Sequence, residues 1–176
     1  NVRNVGYTDY DEGIYVGYRY FDTFNKKVSY PFGYGLSYTT FGYSKPTVAN
    51  EGKSVTVNVT ITNTGNMAGK EVAEVYVTAP KGAVEKPAEE LKAFAKTRTL
   101  QPGESQTLSM SIDKIDLASF NTKASAWIAD AGNYVFKVGS SSLDIKGTAT
   151  LKIGKEVEKV HKVLKPIVKL SELSRK

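Results

Sequence analysis

The run Ser54-Val55-Thr56-Val57-Asn58-Val59-Thr60-Ile61-Thr62 decides the fold class, because apolar and polar residues alternate in it without a break. Successive side chains of a β-strand point to opposite faces, so the run predicts a strand with one buried face and one solvated face. Four apolar side chains are expected to point inward: Val55, Val57, Val59 and Ile61. A helix would instead repeat its apolar residues every three or four positions.

The region that follows contains more short segments of this kind, separated by turn signals. Strands are predicted at 71–78, 90–96, 107–112, 127–128, 134–138 and 144–153, and one helical turn capped by Asp116 at 116–120. Turns are predicted at 63–66 and 101–104, where Asn, Gly and Pro cluster. About seven short strands without long amphipathic helices between them are typical of an all-β antiparallel sandwich of the immunoglobulin or fibronectin type III kind. Trp127, the only tryptophan, is expected in its core.

The first part of the chain has a different composition. Residues 1–45 hold nine of the eleven tyrosines and four of the seven phenylalanines. The β-branched and aromatic residues at 13–21 predict a strand, and the glycines and proline at 31–38 predict an irregular turn. So much aromatic surface cannot be buried within 45 residues. We therefore expect this segment to pack against the β domain or against a missing upstream domain.

Composition excludes several classes of function. No apolar run approaches the roughly 18 residues of a membrane span. The absence of cysteine excludes disulfides, zinc-thiolate sites and cysteine nucleophiles. The net charge is +6, but residues 155–176 carry seven Lys and Arg against three Glu, whereas the aromatic residues lie at the other end of the chain. A nucleic-acid-binding protein would interleave the two, so we expect a solvated basic tail and no nucleic-acid partner.

The start of the chain bears on where the protein is located. The first residue is Asn1 and no signal-peptide pattern follows it, so we expect the native start, and any secretion signal with it, to be missing. Lack of cysteine does not fix the compartment. A periplasmic or secreted location is favoured over a cytoplasmic one.

Two aromatic motifs carry a family resemblance. Glu-Gly-Ile-Tyr-Val-Gly-Tyr-Arg-Tyr-Phe-Asp at 12–22 and Tyr-Pro-Phe-Gly-Tyr-Gly-Leu-Ser-Tyr-Thr-Thr-Phe at 30–41 closely resemble the end of the catalytic region in glycoside hydrolase family 3, nearest to its β-glucosidase branch. Later motifs resemble the fibronectin type III-like domain that ends many of these enzymes: Asn63-Thr64-Gly65, Glu74-Val75-Tyr76-Val77, Leu91-Lys92-Ala93-Phe94, Gln101-Pro102-Gly103-Glu104, Gly132-Asn133-Tyr134 and the stretch 139–145. The resemblance covers about residues 7–153.

The resemblance implies a domain organisation and a role. In this family a TIM-like barrel supplies a nucleophilic Asp, an α/β sandwich usually supplies the acid/base Glu, and the fibronectin-like domain comes last. Residues 1–40 would then close an upstream α/β sandwich domain, 41–154 would form the fibronectin type III-like domain, and 155–176 would be a basic C-terminal tail. The chain would be an accessory, structural part of an enzyme that hydrolyses terminal β-linked sugars, inactive alone, with the upstream catalytic domains as its partners. The alternative is a carbohydrate-binding module that holds an oligo- or polysaccharide.

No residue matches the family's nucleophile motif, so we predict no catalytic position in this chain, no cofactor and no metal site. Retaining hydrolysis needs two carboxyl groups about 5 Å apart. Glu12 is the best carboxylate candidate, but a loop or pairing role is favoured because the family's acid/base lies upstream. Asp9, Asp11 and Asp22 are interpreted as turn or capping residues.

Other candidate residues are given structural roles. Five tyrosines could stack on sugar rings, although inter-domain packing is favoured: Tyr15, Tyr18, Tyr20, Tyr34 and Tyr38. His161 is the only histidine and has no partners spaced for a metal. Serines 140–142 have no histidine near in sequence to act as a base, so a turn is expected. The glycosylation pattern at 58–60 lies inside a predicted strand and is discounted.

Overall fold

The computed structural model describes residues 11–161 of the 176-residue chain. In chain order the elements are α1 (Tyr18–Thr23), β1 (Phe41–Tyr43), β2 (Thr47–Glu51), β3 (Ser54–Asn63), β4 (Val72–Thr78), β5 (Glu90–Lys96), β6 (Ser105–Asp113), a 3-10 turn (Lys114–Leu117), β7 (Ser119–Asn121), β8 (Ala126–Ala129), β9 (Gly132–Ser141), β10 (Asp144–Ile153) and β11 (Glu156–Lys159). Strands dominate and all their pairings are antiparallel, so the all-β prediction is confirmed.

The first sheet is built around β3. Strand β6 pairs with it along one edge. The other edge is shared by two short strands, since β1 pairs with the end of β3 and β2 with its beginning. The chain between β1 and β2 passes through Pro46, which has no N–H to donate to a strand ladder. This edge of the sheet is therefore split into a three-residue and a five-residue strand.

The second sheet has the strand order β10-β9-β4-β5, and a smaller third sheet has the order β11-β8-β7. The sandwich core lies between the first two sheets. Every second residue of β3 is buried in it, as the alternation predicts. From the second sheet, Val75, Tyr134, Phe136 and Val138 join the same cluster. Burying one such side chain contributes roughly 1.5–3 kcal/mol, so these two faces hold the sandwich together.

The strand predicted at 13–21 is wrong. Gly13 and Gly17 both have a positive φ, 57° and 59°, a conformation that disfavours other residues. The chain turns at each of them, and α1 begins directly after Gly17. High β-propensity describes residues that fit a half-buried pleated surface, and here a six-residue helix provides the packing surface instead.

The helical turn predicted at 116–120 lies earlier than expected. The 3-10 turn spans Lys114–Leu117, and Asp116 is inside it rather than at its cap. The residue at the N-cap is Asp113, which makes no capping hydrogen bond with its side chain. The irregular turn at 31–38 is confirmed, because residues 31–38 belong to no helix or strand.

The prediction that Trp127 is a core residue is also wrong. Its side chain is 43% exposed. Strand β8 belongs to the small third sheet, and its two buried positions are occupied by Ala126 and Ala129. Trp127 therefore faces solvent, where its ring packs edge-on against Phe120 of β7.

Candidate functional site

The outer face of the second sheet, the face that points away from the core, is covered by residues 14–38. We call this segment the aromatic layer. Five consecutive residues of β4 are buried, which shows that both faces of the strand are covered. The outward residues Glu74 and Tyr76 are only 9% and 0% exposed. In an ordinary sandwich with one solvated sheet face, these two positions would be in water.

Tyr18 of α1 makes the central contact between the aromatic layer and the sheet. Its ring stacks on Phe32 at 4.5 Å between centroids and meets Tyr76 edge-on at 6.0 Å. The backbone N–H of Leu91 in β5 donates a hydrogen bond to the Tyr18 hydroxyl, 2.7 Å away. Burial raises the pKa of Tyr18, and this hydrogen bond opposes the rise only in part. Offset and edge-on ring pairs each contribute about 0.5–1.5 kcal/mol beyond their buried area.

The helix is fixed to the start of β5 by two polar contacts. The N–H of Ala88 donates a hydrogen bond of 2.8 Å to the Thr23 hydroxyl. The Arg19 guanidinium forms an ion pair of 3.3 Å with Glu90. Both contacts join residues more than 60 positions apart in sequence. They therefore hold α1 against the end of the β4–β5 connection and the first residue of β5.

Two further contacts fix the segments on either side of α1. The Tyr15 hydroxyl donates a hydrogen bond of 2.7 Å to Glu85, and its side chain is only 1% exposed. The carbonyl oxygen of Phe32 accepts a hydrogen bond of 2.9 Å from the N–H of Ser142, in the hairpin between β9 and β10. The aromatic layer is thus attached at both ends of the sheet surface.

Gly33 brings the backbone of the aromatic layer against a buried carboxylate. Its φ is 82°, and a Cβ atom at this position would collide with the Glu74 side chain. The Tyr76 hydroxyl donates a hydrogen bond of 2.6 Å to that carboxylate. Burial raises the pKa of Glu74 above its usual value, and the hydrogen bond from Tyr76 partly opposes the rise. Glycine is required here both for its conformation and for the space.

Asp22 is the second carboxylate covered by the aromatic layer. It lies within α1 and not at a cap. Burial raises its pKa, whereas the Ser142 hydroxyl and the charge of Lys137 lower it. Within residues 11–161, Oδ2 of Asp22 and Oγ of Ser142 are buried without a hydrogen bond of ordinary geometry. Asp22 and Ser142 therefore stabilise the contact between the aromatic layer and the sheet less than a well-formed hydrogen bond would.

The other side of the aromatic layer is open. We call its exposed apolar residues the exposed strip: Tyr30 (70% exposed), Phe32 (46%), Tyr34 (49%), Leu36 (89%) and Tyr38 (98%). Five large side chains within nine residues are exposed, and the rings of Tyr30 and Tyr34 contact each other at 5.1 Å; this much exposed apolar surface is of the kind that marks an interaction surface. The layer thus has one face bound to the sandwich and another that presents aromatic rings to solvent.

The five tyrosines considered as sugar platforms do not form one surface. Tyr15 is buried, Tyr18 and Tyr20 are half-buried, and only Tyr34 and Tyr38 are exposed. Tyr20 packs against Phe21 and Phe24 within the layer.

The carboxylate candidates lie apart from this packing. Glu12 and Asp11 are exposed in a turn, and Asp9 is outside the described residues. Within 11–161 no group of three or more His, Cys, Asp or Glu is placed to hold a metal ion, and no helix is long and apolar enough to cross a membrane. His161 is exposed at the end of that range. Ser140 and Ser141 end β9 and only Ser142 lies in the turn, so the turn begins two residues later than expected; the Ser140 hydroxyl donates a hydrogen bond to Asp144.

Sequence reasoning missed Glu74, Tyr76 and Gly33 as the centre of this contact. A signal was present in β4, where the nearly continuous apolar run around Tyr76 is typical of a strand covered on both faces. Nothing in the local pattern indicated that Gly33 would lie against it.

Known proteins share both the sandwich and the aromatic layer. A family model for the fibronectin type III-like domain matches residues 71–142. The chain is 51% identical to β-glucosidase 3B of Thermotoga neapolitana, solved in complex with glucose. That match covers 86% of this chain and 21% of the other, with a TM-score of 0.83. A GH3 β-glucosidase of Bifidobacterium adolescentis is 41% identical, with a TM-score of 0.83 over 87% of this chain and 23% of the other. The chain belongs to glycoside hydrolase family 3.

Two curated relatives match the chain over a similar range. β-Glucosidase A of Butyrivibrio fibrisolvens is 46% identical over an alignment of 162 positions that covers 80% of this chain and 20% of that protein. An exo-α-(1→6)-L-arabinopyranosidase of Bifidobacterium longum is 44% identical over 83% of this chain and 19% of its own length. The chain spans about a fifth of the length of the curated relatives it matches. It corresponds to a C-terminal part of a family 3 enzyme that contains the fibronectin type III-like domain.

Proposed function

We propose that this chain is the structural, accessory part of a β-glucosidase-like family 3 enzyme and braces the catalytic domains that precede it. The complete enzyme would remove terminal β-linked sugars with retention of configuration. The division into 1–40, 41–154 and 155–176 belongs to the same proposal, with the aromatic layer as the closing piece of the upstream α/β domain. A periplasmic or secreted location remains part of the expectation.

The observation that carries this proposal is that the aromatic layer is bound to the sheet on one side and exposes apolar side chains on the other. One side is fixed to the sheet by ring contacts and hydrogen bonds, from Tyr18 to Leu91 and from Phe32 to Ser142. The other side presents the exposed strip. A segment that is bound to one domain and apolar on its free side suits a wedge between two domains.

The carboxylates with raised pKa values support a structural role rather than catalysis in this chain. Glu74 is covered by Gly33 and accepts a hydrogen bond from Tyr76, and Asp22 lies within α1 with its Oδ2 buried. A retaining glycosidase needs two carboxyl groups about 5 Å apart that reach the same sugar. A carboxylate enclosed by its own fold cannot reach a glycosidic bond.

The test exchanges domains between relatives. The corresponding fifth of the Thermotoga neapolitana enzyme is replaced by this chain, and hydrolysis of p-nitrophenyl β-glucoside is measured together with the thermal midpoint. We expect the chimera to be active and the 176-residue chain alone to be inactive. Tyr34→Ala, Leu36→Ala and Tyr38→Ala combined should lower both activity and thermal midpoint of the chimera.

Leu143→Ala serves as the matched control, because Leu143 is 63% exposed but lies in the β9–β10 hairpin, outside the exposed strip. It should leave the chimera unchanged. If the triple change behaves like this control, the exposed strip is not the brace. Turnover of the glucoside by the 176-residue chain alone would refute the accessory role.

Carbohydrate binding is the second candidate function. It is favoured by one observation, the exposure of Trp127 and Phe120 on the β7–β8 hairpin. The two roles are compatible, since a bracing domain can carry a separate binding cleft.

A further inference from the structure

A cleft of about 500 Å3 opens where the aromatic layer, the loop before β5 and the β7–β8 hairpin meet. Its size falls within the roughly 300–1,000 Å3 of small-molecule sites. Six of its lining residues carry the chemistry: Arg19, Glu85, Glu90, Ser119, Phe120 and Trp127. The cleft is separate from the exposed strip.

One wall of the cleft is aromatic. Phe120 and Trp127 lie directly opposite each other in the β7–β8 register, and their ring centroids are 5.3 Å apart. The two side chains remain 40% and 43% exposed. Strand β8 buries two alanines and turns its one large ring outward, the reverse of what core formation favours. The rings meet edge-on at 60°, so Phe120 supports the Trp127 ring from the side and leaves part of that ring open to the cleft.

Charged side chains that already have partners also line the cleft, beside the apolar residues Ile14, Val84 and Pro87. Arg19 pairs with Glu90 at 3.3 Å, and Lys92 holds the other oxygen of Glu90 at 3.2 Å. Glu85 accepts a hydrogen bond from the Tyr15 hydroxyl. The side chains of Arg19 and Glu90 are about a third exposed, so both can still meet a ligand. Guanidinium donors and carboxylate acceptors in fixed positions are suited to a pair of neighbouring hydroxyl groups.

We propose that this cleft binds one sugar ring of a neutral oligosaccharide. The C–H face of the ring would lie on Trp127, and its hydroxyls would point toward Arg19 and Glu90. An apolar peptide would take the exposed third of Arg19 and Glu90 out of water without offering them new hydrogen bonds, which is costly. A phosphate would lie beside the carboxylates of Glu85 and Glu90, and like charges repel. A ligand with one apolar face and a rim of hydroxyls satisfies both the aromatic wall and the charged side chains.

Trp127 provides the test, because it is the only tryptophan of the chain and lies in the cleft. Its fluorescence is recorded on the 176-residue chain during titration with cellotetraose, laminaritetraose, xylotetraose and polygalacturonate. We expect a saturable blue shift with at least one neutral tetrasaccharide and none with the anionic polymer. Affinity electrophoresis in β-glucan gels separates binding along a polymer from binding to a chain end.

Variants that keep Trp127 locate the binding. Phe120→Ala and Glu90→Gln should each weaken the sugar affinity about tenfold or more, the range expected for a central interface residue. Phe94→Ala is the matched control, because Phe94 is 69% exposed on β5, outside the cleft. Far-UV circular dichroism verifies that each variant is folded.

Three results would overturn the proposal. The first is the absence of any sugar-dependent change in fluorescence. The second is equal affinity in Phe120→Ala and Phe94→Ala. The third is a Trp127 emission that is already blue-shifted and insensitive to sugar once the chain is joined to catalytic domains, which would make the cleft a domain interface. These measurements of sugar binding do not depend on the glucosidase activity of the chimera. Sugar binding by the cleft and the bracing role can therefore each be refuted while the other stands.

Discussion

The two faces of the second sheet are buried by different means. The inner face is covered by aliphatic and aromatic residues that alternate along neighbouring strands, with Phe136 and Val75 fully buried in one cluster. The outer face is covered by a segment that begins some 50 residues earlier and is held by individual contacts such as Tyr18 to Leu91. Non-directional burial tolerates similar residues, whereas the outer contact depends on particular atoms. Mutations on the inner face should therefore destabilise the fold in proportion to the buried apolar area that they remove. On the outer face, disrupting one specific contact should be enough to loosen the aromatic layer.

The largest effect is expected on the inner face. Phe136→Ala removes a side chain that is 0% exposed and leaves a cavity, so the free energy of unfolding should fall by about 3–5 kcal/mol. Urea denaturation followed by circular dichroism measures the change. Phe94→Ala makes the same chemical change at an exposed site and should stay within about 0.5 kcal/mol of the parent. Similar losses in both variants would mean that the inner face does not dominate stability.

A smaller effect is expected where the outer contact is tightest. Gly33→Ala forces a side chain into φ 82°, at a cost of roughly 1–2 kcal/mol, and displaces the Glu74 carboxylate from Tyr76. We expect a loss of about 1–3 kcal/mol together with faster hydrogen exchange at the Leu91 amide, which Tyr18 protects.

Gly35→Ala is the control for this variant, since a Cβ at Gly35 meets no atom within 4 Å and the residue has no positive φ. It should leave both stability and exchange unchanged. Equal behaviour of the two alanine variants would show that the layer does not approach the sheet as closely as Gly33 requires.

The smallest effect concerns pH. Because burial raises the pKa of Glu74 in the folded chain, the folded state binds its proton more tightly than the unfolded state does. Stability should therefore fall as the pH rises from the ordinary glutamate pKa through the raised value. Glu74→Gln keeps an acceptor for Tyr76 and should flatten this slope in urea unfolding measured between pH 4 and 8.

The contribution of Glu104 to stability is expected to change with pH in the opposite direction. Hydrogen bonds from the Gln101 N–H and from Arg98 lower its pKa, so its contribution is present at neutral pH and is lost as the pH falls through the lowered value. Glu104→Gln should therefore leave the fall of stability above the ordinary glutamate pKa intact. If stability falls with rising pH equally in Glu74→Gln and in the parent chain, the fall arises from Asp22 and Glu71, the other carboxyl groups whose pKa is raised by burial.

The sandwich could be predicted from sequence because its signals are local. The alternation at 54–62 assigns each side chain to a face, and the observed burial of β3 follows it residue by residue. The strand at 134–138, which lies within β9, and the turn at 101–104 are also where β-propensity, glycine and proline place them. Each of these features depends on neighbours within a few positions in the chain.

The aromatic layer and the cleft could not be predicted in the same way, because their partners are distant in sequence. The residues of α1 have the composition of a strand, but Gly17 and contacts with β5 set their conformation. Trp127 points outward because β8 pairs with β7 in the small third sheet. The apolar pair Trp127-Ile128 in the sequence does not indicate which sheet the strand joins. The exposure of the strip was anticipated only as excess aromatic surface, without its geometry.

The split edge formed by β1 and β2 has a consequence for many copies of the chain at high concentration. An uninterrupted edge strand offers its unpaired N–H and C=O groups as a template for another molecule. Here that template is three residues long on one side of Pro46 and five on the other. A neighbouring chain could not extend the sheet across the proline. This edge of the sandwich therefore resists growth into fibrils and does not need a further strand to cover it.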